Sequence, residues 1–226
     1  MKTAPKGYRY FHGVAMLFIA MLLIGNTLAV KIITFWGFSL PAGIICFPIA
    51  YIINDALTEV YGYEKTRSVI WWGFLSLALM SFFYYIATIL TPAVFWQDQE
   101  SFSKIFGFAP RIAFASFIAF LVGSFLNSYV MSIMKLKMKG KKLWMRTIGS
   151  TIIGEGADSI IFNIIAFAGI FAFNDLITII VSGFILKTLY EVIATPLTYL
   201  FVSWLKKKEE EDKYDVEVNY NPFKVK

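Results

Sequence analysis

Six apolar stretches recur along this chain between short polar or basic breaks, each about as long as the roughly 20 residues a helix needs to cross a hydrocarbon layer. No other feature constrains the fold so tightly. Hydrophobic residues fill 58% of the 226 positions and charged residues only 16%, more apolar surface than one water-soluble core could hide. The runs cover residues 11–36, 40–59, 69–90, 112–133, 148–173 and 176–204. Their lengths are helical, without the alternation of a β-barrel strand. The expectation is an all-α polytopic membrane protein, with a six-helix transmembrane domain over residues 1–205 and a charged, solvated cytoplasmic tail over 206–226.

The first run is too long for a secretory leader, has no small-residue cleavage site and carries Asn26 and Lys31, so it reads as the first span. The lone Cys46 has no internal disulfide partner, and His12 is the single imidazole. Metal and haem chemistry are therefore not expected. Neither a phosphate-binding loop nor a convincing nucleophile set occurs, which argues against ATP hydrolysis, against a resident cofactor and against an enzyme.

A net charge of +6 would suit nucleic acid in a soluble protein, but in a membrane protein basic residues first mark the loops that stay in the cytoplasm. Lys2, Lys6 and Arg9 precede the first span, Lys65 and Arg67 separate the second and third, and Lys135, Lys137, Lys139, Lys141, Lys142 and Arg146 follow the fourth. Lys206, Lys207, Lys208, Lys213, Lys224 and Lys226 follow the sixth, whereas the opposite side offers Lys104 and Arg111 beside Asp98 and Glu100. Six spans with both termini cytoplasmic satisfy this bias, and no nucleic-acid partner is implied. The Lys135 to Lys142 cluster reads as a topology anchor rather than a lipid headgroup site. The aromatic segment from Pro92 to Ala109 reads as an interfacial or capping element.

Ionisable groups at bilayer depth cost about 2.5 to 3.5 kcal/mol on insertion scales, so each needs a partner, a proton or water. Here the acids are Asp55, Glu59, Glu155, Asp158 and Glu191, and the bases Lys31 and Lys187. Internal pairing cannot neutralise this set. Asp55 and Glu59 are four apart, Glu155 and Asp158 three apart, and Lys187 and Glu191 four apart, so each pair shares a helix face. Lys187 with Glu191 reads equally as an intrahelical ion pair or as a substrate-facing group. Glu59 lies near the cytoplasmic rim within reach of Arg67, where a structural role fits better, and Lys31 is placed to snorkel outward. Glu155 and Asp158 fall near mid-bilayer, with Asn26 and Lys187 at a similar level, and are the strongest functional candidates. The amides of Asn26, Asn54, Asn127 and Asn163 would join helices or touch a ligand. Pro48 and Pro196 are candidate hinges. The acidic pairs sit in the second helix of each three-helix half, an arrangement compatible with an inverted repeat.

The run at residues 31–37 (KIITFWG), Pro41 to Gly43, Phe47 with Pro48, and residues 54–63 (NDALTEVYGY) closely resemble the queuosine precursor transporter family, also called the vitamin uptake transporter group. Gly154 and Glu155 with Asp158, Ser159 and Phe162, then Lys187 with Glu191 and Pro196, and finally Asn221, Pro222 and Phe223 extend the likeness over nearly the whole chain. The resemblance implies a six-span carrier in a bacterial inner membrane that imports 7-deazaguanines, such as the 7-cyano and 7-aminomethyl bases or queuine, for tRNA modification. A guanine-like edge presents two parallel N–H donors that Glu155 or Asp158 would accept bidentately. Asn26, Asn127 or Lys187 would donate to the ring carbonyl, Phe162 or Tyr190 would stack on the bicycle, and Asp55 and Glu191 would line the site or couple it to an ion.

Without an ATP motif, such a carrier either equilibrates its substrate or couples to a proton. A second class of reading is the membrane substrate-binding component of an energy-coupling-factor importer, which needs partner ATPases. The lipid bilayer and a small-molecule base are the expected partners, with a homodimer as the expected assembly of so small a bundle.

Overall fold

Long runs of Leu, Ile, Phe and Ala give the chain its helices, and breaks at Gly62, at residues 138–142 and after Ala168 end them. A computed structural model describes residues 7–28, 31–35, 38–107, 110–169 and 172–224. The helices are α1 (Phe11–Leu28), α2 (Phe47–Tyr61), α3 (Tyr63–Ile89), the short α4 (Gln99–Phe106), α5 (Pro110–Lys137), α6 (Leu143–Phe167) and α7 (Phe173–Glu209). Among the described residues, α1, α3, α5, α6 and α7 are long and apolar enough to cross a membrane. Their outward faces fit that solvent. On α7, Ile177, Val181, Ile185, Leu189, Ile193 and Leu197 form an exposed apolar stripe at four-residue spacing, as a lipid-facing helix requires.

The expected first two spans are corrected. α1 ends at Leu28, and the chain forms an antiparallel hairpin of β1 (Ile32–Phe35) and β2 (Phe38–Pro41), paired from Ile32 with Pro41 to Phe35 with Phe38. β-branched and aromatic residues dominate β1, which favours strand over helix, and the Ala42 amide donates to the Lys31 carbonyl at 2.7 Å to close the base of the hairpin. A 3-10 turn (Ala42–Ile45) leads into α2, whose 15 residues span only about 22 Å at a rise of about 1.5 Å each. Pro48 stands in the first turn of α2, where a missing N–H costs nothing, so it is no hinge. Pro196 does lie inside α7. Trp36, Lys2, Lys6, Ala109 and Lys226 fall outside the described residues, as does the side chain of Arg111.

Both ends of the described chain meet at one end of the bundle. The Glu209 carboxylate at the close of α7 accepts from the backbone amides of Arg9 at 3.0 Å and Tyr10 at 2.6 Å, and from the Tyr61 hydroxyl at 2.9 Å. It thereby caps α1, where a negative charge is favoured. The α2–α3 and α5–α6 turns lie at this same end, tied together by ion pairs. Glu59, fully buried, is paired with Arg146, with Lys206 at 2.6 Å and with Lys135 at 3.6 Å. The partner expected for it, Arg67, is engaged elsewhere. Lys135 and Arg146 are 2% and 1% exposed, so these two members of the basic cluster are spent inside the protein.

The segment after α7 is a strap: most of its residues are exposed, as expected of a tail, but it is tied to the helices by hydrogen bonds. Lys135 bonds Asp212 and donates to the Lys213 carbonyl at 2.7 Å, while the Lys213 amide donates to Val60. Asp215 accepts from the Tyr63 amide at 2.9 Å and from the Ser132 hydroxyl. Arg67 donates to the carbonyls of Asn219 and Asn221 at 2.7 and 2.8 Å, and the Trp71 indole to that of Pro222 at 2.7 Å. Burial pushes the Asp212 carboxyl up, but hydrogen bonds from Lys135 and Lys206 outweigh it and hold the group below its ordinary range. Gly62 makes the crossing possible: its φ is +83°, and a Cβ there would lie 2.6 Å from an Asp215 carboxylate oxygen.

At the other end α4 has no buried residue and leans on α3, with the Gln99 amide donating to the Thr88 carbonyl at 3.0 Å and the Phe106 ring 4.7 Å from that of Tyr84. Val94, Phe95 and Trp96 before it are exposed.

α5 and α6 approach closely because Gly123 faces Gly154. A Cβ on Gly154 would lie 2.7 Å from Asn127 Cβ and 2.8 Å from the Gly123 carbonyl oxygen, so small residues set the helix separation. Gly154→Val is expected to cost about 1–3 kcal/mol, the usual range for overpacking, read as a lowered thermal midpoint of the purified protein in detergent.

Candidate functional site

Where α1, α2, α5, α6 and α7 converge they enclose a cavity of about 300 Å³, at the small end of ligand sites, which run from roughly 300 to 1,000 Å³. Its walls combine the aromatic rings of Phe18, Phe120 and Phe162 with a dense set of polar groups. At the centre stands Lys187 from α7, whose ammonium is 2.6 Å from Asp158 Oδ2 and 3.0 Å from Glu155 Oε2, both on α6. The Tyr51 hydroxyl from α2 donates to the same Glu155 oxygen at 2.9 Å. Lys187 thus turns away from Glu191, its neighbour one turn on, so the intrahelical pair gives way to a bond between α7 and α6. The reason is geometric: Glu155 and Asp158 share the α6 face that α7 packs against, and one ammonium can serve both.

Glu155 Oε1 and Asp158 Oδ1 accept no protein hydrogen bond among the described residues. The site therefore holds two carboxylates and one ammonium, a net negative charge with acceptor capacity to spare. Asn26 lines it from α1 while donating to the Leu22 carbonyl at 2.8 Å, and Asn127 lines it from α5 while donating to Asp55 Oδ1 at 2.8 Å.

Of the residues singled out in the sequence, Glu155, Asp158, Asn26, Asn127, Lys187 and Phe162 line the cavity together. Asp55 and Glu191 lie behind its wall, each 1% exposed, and Tyr190 is 36% exposed on the outer face of α7. The sequence reading passed over Tyr51, Ser116, Ser124, Thr151 and Phe120, which also line it. A signal for them existed. Thr151, Glu155, Asp158, Ser159, Phe162 and Asn163 follow the spacing of one helix face in an otherwise apolar run, and so do Ser116, Phe120, Gly123, Ser124 and Asn127. Attention to charge alone missed the hydroxyls that complete both stripes.

A family model described as "Putative vitamin uptake transporter" matches residues 41–201, well over half of the chain and every cavity-lining residue outside α1. The chain belongs to this family. The transporter is 30% identical over 175 residues to the "Probable queuosine precursor transporter" of Bacillus subtilis (strain 168), covering 77% of this chain and 76% of that protein. It is 24% identical over 160 residues to the "Queuosine precursor transporter" of Escherichia coli (strain K12), covering 71% and 70% of the two chains. No solved structure matches it. Family membership and its apolar helices together make the protein a multi-pass membrane transporter of a small molecule.

Proposed function

We propose that this transporter carries queuosine precursors of the 7-deazaguanine type into a bacterial cell across its inner membrane, binding them in the cavity between α6 and α7. The observation that carries this reading is the Glu155–Asp158–Lys187 cluster, which lines a small, aromatic-walled space and leaves one oxygen of each carboxylate without a protein donor among the described residues. A deazaguanine offers its ring N1–H and exocyclic amine side by side, matching a carboxylate in a charge-assisted bidentate pair. Its ring carbonyl needs a donor, which Lys187 or a second amide N–H of Asn127 or Asn26 supplies. The flat bicycle is sandwiched by Phe162 and Phe120, and an aminomethyl cation is offset by the remaining carboxylate. The two relatives are named as transporters of queuosine precursors, which supports this reading.

The chain then crosses the membrane six times. The end where the two termini meet faces the cytoplasm, since Lys65, Arg67, Lys135, Arg146 and Lys206 all gather there. α2 makes the second crossing together with the hairpin and turn that precede it; among the described residues the two strands pair only with each other, so the open outer edges of the hairpin must face protein or water rather than lipid.

Glu155→Gln replaces an acceptor-only group with one that also donates. Uptake of labelled 7-aminomethyl-7-deazaguanine by purified Glu155→Gln protein in liposomes is expected to fall at least about tenfold, the loss of one charged hydrogen bond of about 1.5–3 kcal/mol. Unaltered uptake by a folded variant would remove the site assignment. Failure of the wild-type chain to move substrate without partner ATPases would favour the energy-coupling-factor reading.

A further inference from the structure

Three sets of ionisable side chains lie inside the bundle, and they differ in how they are balanced. Glu59 and Asp212 share Lys135 and Lys206, and Glu59 alone holds Arg146. Glu155 and Asp158 share Lys187. Asp55 on α2 and Glu191 on α7 share nothing: among the described residues, neither is ion-paired.

Both are 1% exposed, and α2 packs on α7. Glu59, one turn on along α2, and Glu155 on α6 are further acidic neighbours of this pair. α1 brings no charged residue to this depth, Arg67 of α3 is held by the strap, and Lys135 of α5 is bound to the Glu59 cluster. Lys187 is one turn from Glu191 but committed to α6.

The decisive feature is what surrounds these carboxyls. Both side-chain oxygens of Glu191, Asp55 Oδ2 and the amide oxygen of Asn127 are buried without any hydrogen-bond donor. Asn127, 7% exposed, gives its amide nitrogen to Asp55 and so keeps its own oxygen unpaired beside that carboxyl. The nearby hydroxyl of Thr195 is turned to the Glu191 backbone carbonyl at 2.8 Å instead of its side chain. Four buried acceptors without a donor cost several kcal/mol in a low-dielectric setting unless a cation meets them. Oxygen-only ligand sets suit a hard cation or a proton.

We propose that Asp55 and Glu191, with the Asn127 amide oxygen, form a binding site for a small monovalent cation, Na⁺ or H⁺, behind the substrate cavity and linked to it through Asn127. The linkage is direct. Asn127 belongs to the cavity wall and to the cation site at once, so a substrate that moves its amide changes the cation's ligands, and a cation that fixes Asp55 fixes the amide for substrate. The transport side of this coupling rests on the substrate reading above; cation binding does not.

The test begins without substrate, on the purified full chain in lipid nanodiscs. Sodium chloride is titrated against choline chloride at constant pH while tryptophan fluorescence is followed, and a sodium-free pH titration follows the infrared band of protonated carboxyls. Either a saturable sodium response or a protonated-carboxyl band is expected in the wild type, weakened at least tenfold or lost in both Glu191→Gln and Asp55→Asn. Absence of both signals in the wild type overturns the site, as does their persistence in the two variants. In liposomes, a gradient of the cation so identified should accumulate 7-aminomethyl-7-deazaguanine in wild type, while Glu191→Gln only brings it to equal concentrations inside and out. Accumulation that survives in Glu191→Gln also overturns coupling through this site. A wild type that binds the cation but neither binds nor moves 7-aminomethyl-7-deazaguanine leaves the site standing and rejects the substrate reading.

Discussion

Glu59→Leu is expected to destabilise the transporter by about 3–5 kcal/mol, the range for removing one member of a buried charge cluster, and so to lower the ratio of folded to unfolded protein by about two to four orders of magnitude. Glu59 is the acceptor on which Arg146, Lys206 and Lys135 converge. Without it, Arg146 and Lys135, 1% and 2% exposed, keep their positive charges at the packed junction of α2, α5 and α6. Asp212, on the strap, cannot serve all three. Arg146 also donates to the Lys141 and Gly140 carbonyls, at 3.2 and 3.0 Å, so its displacement would loosen the α5–α6 turn as well. Chemical denaturation in detergent measures the loss. The double variant Glu59→Leu with Arg146→Met should recover part of it, because the buried charge most dependent on Glu59 has then gone too. Equal losses in the single and double variants would show that shape rather than charge holds this junction.

Lys187→Met should reduce uptake by about 10- to 100-fold or more, equivalent to one or two charged hydrogen bonds at about 1.5–3 kcal/mol each. Lys187 holds the second oxygens of Asp158 and Glu155 at 2.6 and 3.0 Å. Once it is removed, two carboxylates one turn apart face each other with only the Tyr51 hydroxyl for a donor, and one of them must take up a proton. A protonated carboxyl no longer accepts two N–H groups in parallel, so the effect appears in substrate affinity as well as in rate. Lys187→Met combined with Asp158→Asn separates chemistry from folding. That pair keeps the net charge of the wild-type site, with Glu155 still bonded by Tyr51, and should insert and fold like wild type, yet uptake should stay low because a carboxylate and the ammonium are both missing. Full recovery of uptake in the double variant would reduce Lys187 to a structural counter-ion.

The helical segments were legible because a membrane span is written in one property, sustained hydropathy, and α3, α5, α6 and α7 carry it over 25 residues or more. The first two segments were misjudged for the same reason. Residues 31–46 are as apolar as their neighbours, but β-branching and the Pro41–Gly43 break turn them into a hairpin and a 3-10 turn that hydropathy cannot distinguish. Within the site, depth and spacing located Glu155, Asp158 and Lys187. Pairing across helices was out of reach, because spacing reports which residues share a face and not which face meets which. Lys187 with Glu191 fits an intrahelical pair by count, yet the α6–α7 contact puts Lys187 on Asp158. The strap was missed because a polar, charged segment reads as solvated unless its partners, here Arg67, Trp71 and Ser132, are known to wait for it.

That strap has a consequence for how the protein is made. Arg67 and the carbonyls it meets are 152 and 154 positions apart in sequence, so α3 leaves the ribosome long before the residues that satisfy it. During insertion the guanidinium and the Trp71 indole must stay hydrated at the membrane surface, with the turn at Gly62 uncovered. The strap therefore closes the rim last: until residues 212–222 are made, the Tyr63 amide, Arg67, Trp71 and Ser132 lack the partners that the finished chain gives them.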